Sequence, residues 1–203
     1  SILNKEQRGY ITPQEFNSLA TQVQLEIFES YFHDIKTAHH KLQNQSEESD
    51  EIEMLHEKLS VHKVLDDALA INNSTGVVDV TSFSTTPYRL SNIRFGQDVV
   101  QEVGREELGD MMHHPLTAPT TSMRVYYRTG ENAITILPVP TSAEAESLVA
   151  DYIVAPTTPS WGYVVVNTEA LYNSNTTTHF DLHPSEEEKL VTRILEMAGI
   201  VIN

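Results

Sequence analysis

The sequence predicts an α+β fold: a helical bundle, built from an N-terminal αα-hairpin and a C-terminal helix, with a β-rich hairpin region inserted between them. Three observations predict it. Apolar residues recur at helical spacing near both ends of the chain, the period changes to two from Val77 onward, and Met123 to Pro138 alternates on either side of a glycine-containing turn. The expected parts are residues 1–75 as the helical hairpin, 76–178 as the β-rich insertion with protruding hairpins, and 179–203 as a helix packing back on the helical body, one domain overall.

The first helix begins at Thr12-Pro13-Gln14-Glu15, a capping box with proline at the first helical position. Phe16, Leu19, Ala20, Val23, Ile27, Tyr31 and Ile35 then keep the helical period, while Leu25, Phe28 and Phe32 widen the stripe. The added aromatics Phe28 and Phe32 are either an interface or further core. A polar connector from Lys41 to Asp50 leads to a second helix marked by Ile52, Leu55, Leu59, Leu65 and Leu69, and Asn72-Asn73-Ser74-Thr75-Gly76 ends the helical half. Short strands are expected at Val77 to Val80, Tyr88 to Leu90, Ile93 to Phe95 and Val99 to Val103. A short helix follows from Arg105 to Met112, halted by His113-His114-Pro115.

Met123 to Arg128 and Ala133 to Pro138 form the clearest hairpin, joined by Thr129-Gly130-Glu131-Asn132. Its Met123, Val125 and Tyr127 face needs cover, and its Arg124, Tyr126 and Arg128 face suits salt bridges. Thin hairpins have little core of their own, so this one, together with Gly104 to Ser122, is expected to reach other subunits through Val125 and Tyr127. Ser147 to Val154 and Gly162 to Val166 add strands, with Trp161 as a core or joint residue between them, and Phe28, Phe32, Val125, Tyr127 and Trp161 are the candidate interface residues. In the last helix Ser185 and Glu188 form a capping box, Leu190, Val191, Ile194, Leu195 and Ala198 make one stripe, and Gly199 is the stop.

The chain has 203 residues, 39% of them apolar, with a formal charge of −16 and only 13 Lys and Arg. That balance excludes a basic nucleic-acid groove or an anionic-membrane surface. There is no cysteine, hence no disulfide framework or thiolate chemistry, and no apolar run approaches a membrane span. Ser1 to Gln7 lacks the apolar core of a signal peptide.

No glycine-rich phosphate loop, nucleophile elbow, HExxH or spaced carboxylate pair occurs, so no catalytic, cofactor or metal residues are assigned. His179 and His183 precede the last helix and share no face with its glutamates at ligand spacing. The alternative function is a metal-dependent hydrolase using His113, His114, His179, His183 and nearby acids. A third class is a secreted binding module glycosylated at Asn44, Asn72, Asn73 or Asn175.

Several stretches carry a resemblance: Asn4 to Asn17, the Glu102 to Pro119 segment with Glu107-Leu108-Gly109 and Pro115-Leu116-Thr117-Ala118-Pro119, Tyr126-Tyr127-Arg128, Tyr152-Ile153 with Pro156, Pro159 and Trp161, and Phe180 to Ile202. Together they resemble a virion structural protein of crAss-like and related short-tailed bacteriophages. The arrangement also looks like the head-to-tail adaptors of such phages. The resemblance implies a non-enzymatic homo-oligomer, a ring of twelve subunits in the virion neck assembled in the host bacterial cytoplasm. It would dock on the portal and on other neck or tail rings and encircle the exit channel, with DNA passing through without specific binding. An acidic surface suits that passage, since like charge keeps phosphates from adhering.

Overall fold

A computed structural model of the chain describes residues 11–41, 48–130, 133–167 and 169–199. The Gly9-Tyr10 step, most of the connector from 41 to 50, and the Glu131-Asn132 half of the expected hairpin turn lie outside them. In chain order the elements are α1 (Pro13–Lys41), α2 (Glu48–Ser60), β1 (Lys63–Ala68), β2 (Val77–Asp79), β3 (Arg89–Phe95), β4 (Asp98–Glu102), α3 (Arg105–His113), β5 (Val125–Arg128), β6 (Ala133–Leu137), α4 (Ser142–Ala145), β7 (Leu148–Ile153), β8 (Tyr163–Val166), β9 (Glu169–Tyr172) and α5 (Glu187–Met197). No helix among the described residues is long and apolar enough to cross a membrane.

This is a mixed α/β protein dominated by a seven-stranded sheet, which overturns the expected helical bundle with an inserted hairpin region. The sheet runs β1-β7-β3-β4-β5-β6-β2, antiparallel throughout except for the parallel pair β4 and β5. Short strands that read singly as protruding hairpins instead pair side by side, which satisfies their backbone groups and gives them one shared core. The chain divides into two compact units, Ser1–Val61 with Pro156–Asn203, and His62–Ala155.

The second unit holds the large sheet. Its core gathers Val78, Ile93, Val100, Ile136, Leu148 and Tyr152, all nearly solvent-free. Parallel strands need a crossover, and α3 lies on the one between β4 and β5. Leu108 of this helix packs with Val103 and Val125, and Met111, Tyr127 and Leu137 join the cluster. The Val125 and Tyr127 face is thus covered from within the same unit. The opposite face makes the salt bridges expected of it although much of it is buried: Arg128 meets Glu102 at 2.9 Å, Arg124 lies over the Phe95 ring at 4.5 Å with its guanidinium 2.5 Å from Glu144, and Tyr126, in the main core, donates its hydroxyl to Glu102.

The predicted second helix also needs correction. It ends at Ser60, and Lys63–Ala68 pairs with β7 as an edge strand. Leu59 and Leu65 are six residues apart, which breaks the helical period, while pairing with β7 supplies the backbone bonds a longer helix would have made. Tyr88 to Phe95, expected as two strands, contributes one, with an irregularity between Leu90 and Asn92.

Four carboxyls of this unit titrate below their ordinary range. At Asp67 burial pushes the pKa up, but hydrogen bonds from the Ser84 amide, the Tyr152 hydroxyl and the Ser84 side chain outweigh it. At Glu102 burial is likewise outweighed by bonds from Arg128 and Tyr126. Thr81 lowers Asp79, and Thr141 followed by Arg124 lowers Glu144. A carboxyl with a depressed folded pKa adds stability that is present above its unfolded pKa and lost as the pH falls through the folded value. The unit should therefore loosen progressively below about pH 4. Hydrogen-exchange mass spectrometry of β3 and β7 peptides between pH 7 and 3, corrected for intrinsic rates, should show protection falling. Asp67→Asn should flatten that fall, and unchanged protection down to pH 3 would contradict the account.

In the first unit the capping box forms as expected: the Thr12 amide donates to Glu15 Oε2 at 3.2 Å and the Glu15 amide to Thr12 Oγ1 at 3.3 Å. α1 packs against α2 and α5, burying Val23, Ile27, Phe28 and Tyr31 together with Ile52, Leu55, Leu59, Leu190 and Ile194. Gly199, at φ +82°, ends α5. The Ser185 box does not form. Pro184 starts a 3-10 turn one step early, His183 Nδ1 accepts from the Ser185 amide, and Glu186 turns inward to meet Lys58 at 2.6 Å.

Candidate functional site

The candidate site lies in the first unit, where the chain returns along α1. Gln24, 2% exposed, uses both ends of its amide: Nε2 donates to the Thr157 carbonyl at 2.8 Å and Oε1 accepts from the Asp181 amide at 2.9 Å. Asn17, two helical turns earlier on the same side, does the same with Trp161, accepting from its amide at 2.7 Å and donating to its carbonyl at 3.3 Å. Asp181 closes the network by accepting from the Thr157 amide and hydroxyl. Two side chains of one helix therefore hold the backbone of an irregular segment in place, and the Trp161 ring rests edge-on against Phe16 at 6.0 Å.

Past Trp161 the chain leaves this anchor as a ribbon. Ser160 and Thr178 exchange backbone bonds at its base, and the Asn173 amide donates to the Gly162 carbonyl. A Cβ at Gly162 would come within 2.6 Å of the Thr176 carbonyl carbon and 2.7 Å of the Asn173 oxygen, so only glycine lets the two legs close. β8 and β9 then pair antiparallel from Tyr163↔Tyr172 to Val166↔Glu169, with Asn167 at φ +51° entering the turn. β8 is the strand expected within Gly162 to Val166, and with β9 it forms a sheet of two strands that does not join the large one.

The ribbon buries little. Val164, Val165, Val166, Leu171 and Tyr172 are 46 to 64% exposed, on both faces. From Trp161 to Phe180 the only acid is Glu169, and there is no Lys or Arg, in a chain of charge −16. Beside its base, Phe16, Pro159, Trp161, Tyr172 and Phe180 line a groove of about 410 Å³. A largely apolar ribbon with a single charge, Glu169, that leaves a hydrogen-bonded anchor has the chemistry of a contact surface.

The predicted interface residues fall elsewhere, with one exception. Phe28 is fully buried in the first unit's core, edge-on to the half-buried Phe32 at 5.2 Å. Val125 is buried and Tyr127 half-buried beneath α3 in the second unit. Neither Phe28 nor Val125 can meet a partner without unfolding its own unit. Trp161 alone borders the exposed surface. Sequence reasoning missed Leu171 and Tyr172 because Glu169–Tyr172 shows no alternation, and the continuous apolar run Tyr163-Val164-Val165-Val166 reads as a buried strand, so its exposure had no local signal.

The alternative site fares as follows. His113 and His114 end α3 in the second unit, both exposed. His179 and His183 belong to the first, where His183 Nδ1 is engaged by Ser185. Among the described residues no three His, Cys, Asp or Glu side chains are grouped to hold a metal ion. Comparison of the chain with protein-family models gives no match, and comparison with curated proteins gives none.

Proposed function

We propose that this chain is a structural virion protein of a short-tailed bacteriophage of the crAss-like kind, forming a neck ring of twelve copies that docks on the portal and surrounds the DNA exit channel. The observation that carries the reading is the exposed, largely apolar ribbon of Tyr163–Val166 and Glu169–Tyr172, with Glu169 its one charge: apolar side chains left in solvent on both faces have no use within the chain, and an assembly covers them. Support from residues comes from the Glu102 to Pro119 stretch, Tyr126-Tyr127-Arg128 and the Pro156, Pro159 and Trp161 set that resemble the phage family. The acidic composition adds to it, because a ring passed by DNA works best without a basic lumen. The architectural likeness to adaptors lends nothing, since the bundle it rested on is replaced by the seven-stranded sheet.

Native mass spectrometry of the chain, alone and mixed with purified portal rings, is the test. A portal complex carrying twelve copies is expected. A chain that stays monomeric and never binds the portal would overturn the reading.

A further inference from the structure

We infer that the two outer edges of the β8–β9 ribbon join neighbouring copies of this chain, β8 of one copy pairing with β9 of the next. The inference rests on the ring reading above and names its subunit contact.

Free strand edges invite pairing, and proteins guard those they do not use. The large sheet is guarded at both ends. β1 carries Lys63, Asp66 and Asp67 and is broken by a bulge in which Asp66, at φ +55°, is held by Arg94 at 2.6 Å. β2 is three residues long and ends on Asp79. The ribbon has no such protection. β8 is Tyr-Val-Val-Val, without charge, proline or bulge, and β9 has the single acid Glu169. Among the described residues neither strand has a second strand neighbour, and a two-stranded ribbon is marginal in water on its own.

Charge selects the occupant. Two copies of a chain at −16 repel over most of their surfaces, and the contact that gathers least like charge is the Trp161 to Phe180 stretch. A basic protein, a nucleic acid or an anionic surface finds no complementary charge there. A second copy brings a matching edge, because the alternating amides and carbonyls of one strand pair with those of another. Joining β8 to β9 uses two different edges, so each copy offers one of each and the contact repeats until the ring closes, whereas β8 against β8 would stop at a pair.

The alternation of an antiparallel pair identifies the backbone groups involved. Gly162 and Asn173 are bonded across the ribbon, so Tyr163 and Val165 direct their amides outward. Val165→Pro removes one outward donor while leaving the ribbon's own bonds, and Val165→Lys places a charge at a position 64% exposed in the free chain. Sedimentation velocity over a concentration series, with and without portal rings, should show both variants associating about tenfold or more weakly than wild type. Hydrogen exchange of the unmodified chain should show the Tyr163 and Val165 amides protected only in the assembly. Wild-type rings with unprotected amides, or variants that assemble as well as wild type, would overturn the edge contact and leave the ring reading standing. A wild-type chain that is monomeric throughout would overturn both, and capture of the ribbon by neutral lipid vesicles without self-association would overturn the choice of occupant.

Discussion

Val125→Asp is expected to destabilise the second unit by about 3–5 kcal/mol, enough to unfold a marginal domain. Val125 is 2% exposed and sits between Val103 and Leu108, with no cation in that cluster to receive a carboxylate. It also heads the register with β6, facing Leu137, so distortion there reaches the hairpin and the crossover helix together. Tyr127→Asp should cost less, because Tyr127 is only half-buried on the rim of the same cluster. Urea unfolding followed by circular dichroism measures both. If Val125→Asp kept wild-type stability but lost assembly, the residue would be an interface and the covering role of α3 would be wrong.

The second large effect is expected at Lys58. Its Nζ lies 2.6 Å from Glu186 Oε1, and the Glu186 side chain is only 5% exposed, with Lys189 next nearest at 3.8 Å. Tyr31 is also part of this environment. Its hydroxyl is buried without a hydrogen-bond partner, and burial, reinforced by the Glu186 charge, pushes its pKa well above the ordinary tyrosine value, so the phenol stays neutral. Lys58→Met leaves the carboxylate buried and nearly alone. The cost should be about 3 kcal/mol, at the lower end for a broken buried pair because Lys58 is itself 24% exposed. Adding Glu186→Leu should recover much of the loss, since an apolar pair of similar volume needs no compensation. Chemical denaturation monitored at Trp161 follows the first unit. Losses that simply add in the double variant would show that the two side chains are not coupled.

Some elements were legible because their signals are local. The Thr12-Pro13-Gln14-Glu15 cap, the α1 stripe, the Arg105 to His113 helix, the Gly199 stop and the pairing of Val125–Arg128 with Ala133–Leu137 depend on residues near one another in the chain. So did the charge argument, which needs only composition. The site was barely legible. Asn17 and Gln24 read as ordinary polar positions on a helix, and the carbonyls and amides they hold belong to residues 144, 133 and 157 positions away.

By itself the sequence determined where α1 starts, where α3 lies and where α5 stops, and that the chain is acidic and apolar enough to fold. Only the tertiary structure decided that the strands share one sheet, that α3 covers Val125, that Glu186 turns inward to Lys58 instead of joining a cap, and that Tyr163–Tyr172 stays outside. The reason is the range of the interactions. Caps and periodicity act within a turn or two, whereas lateral strand order and burial are set by contacts between residues far apart in the chain. An apolar strand carries the same local signal whether its neighbour is another strand of its own chain or the edge of a second copy.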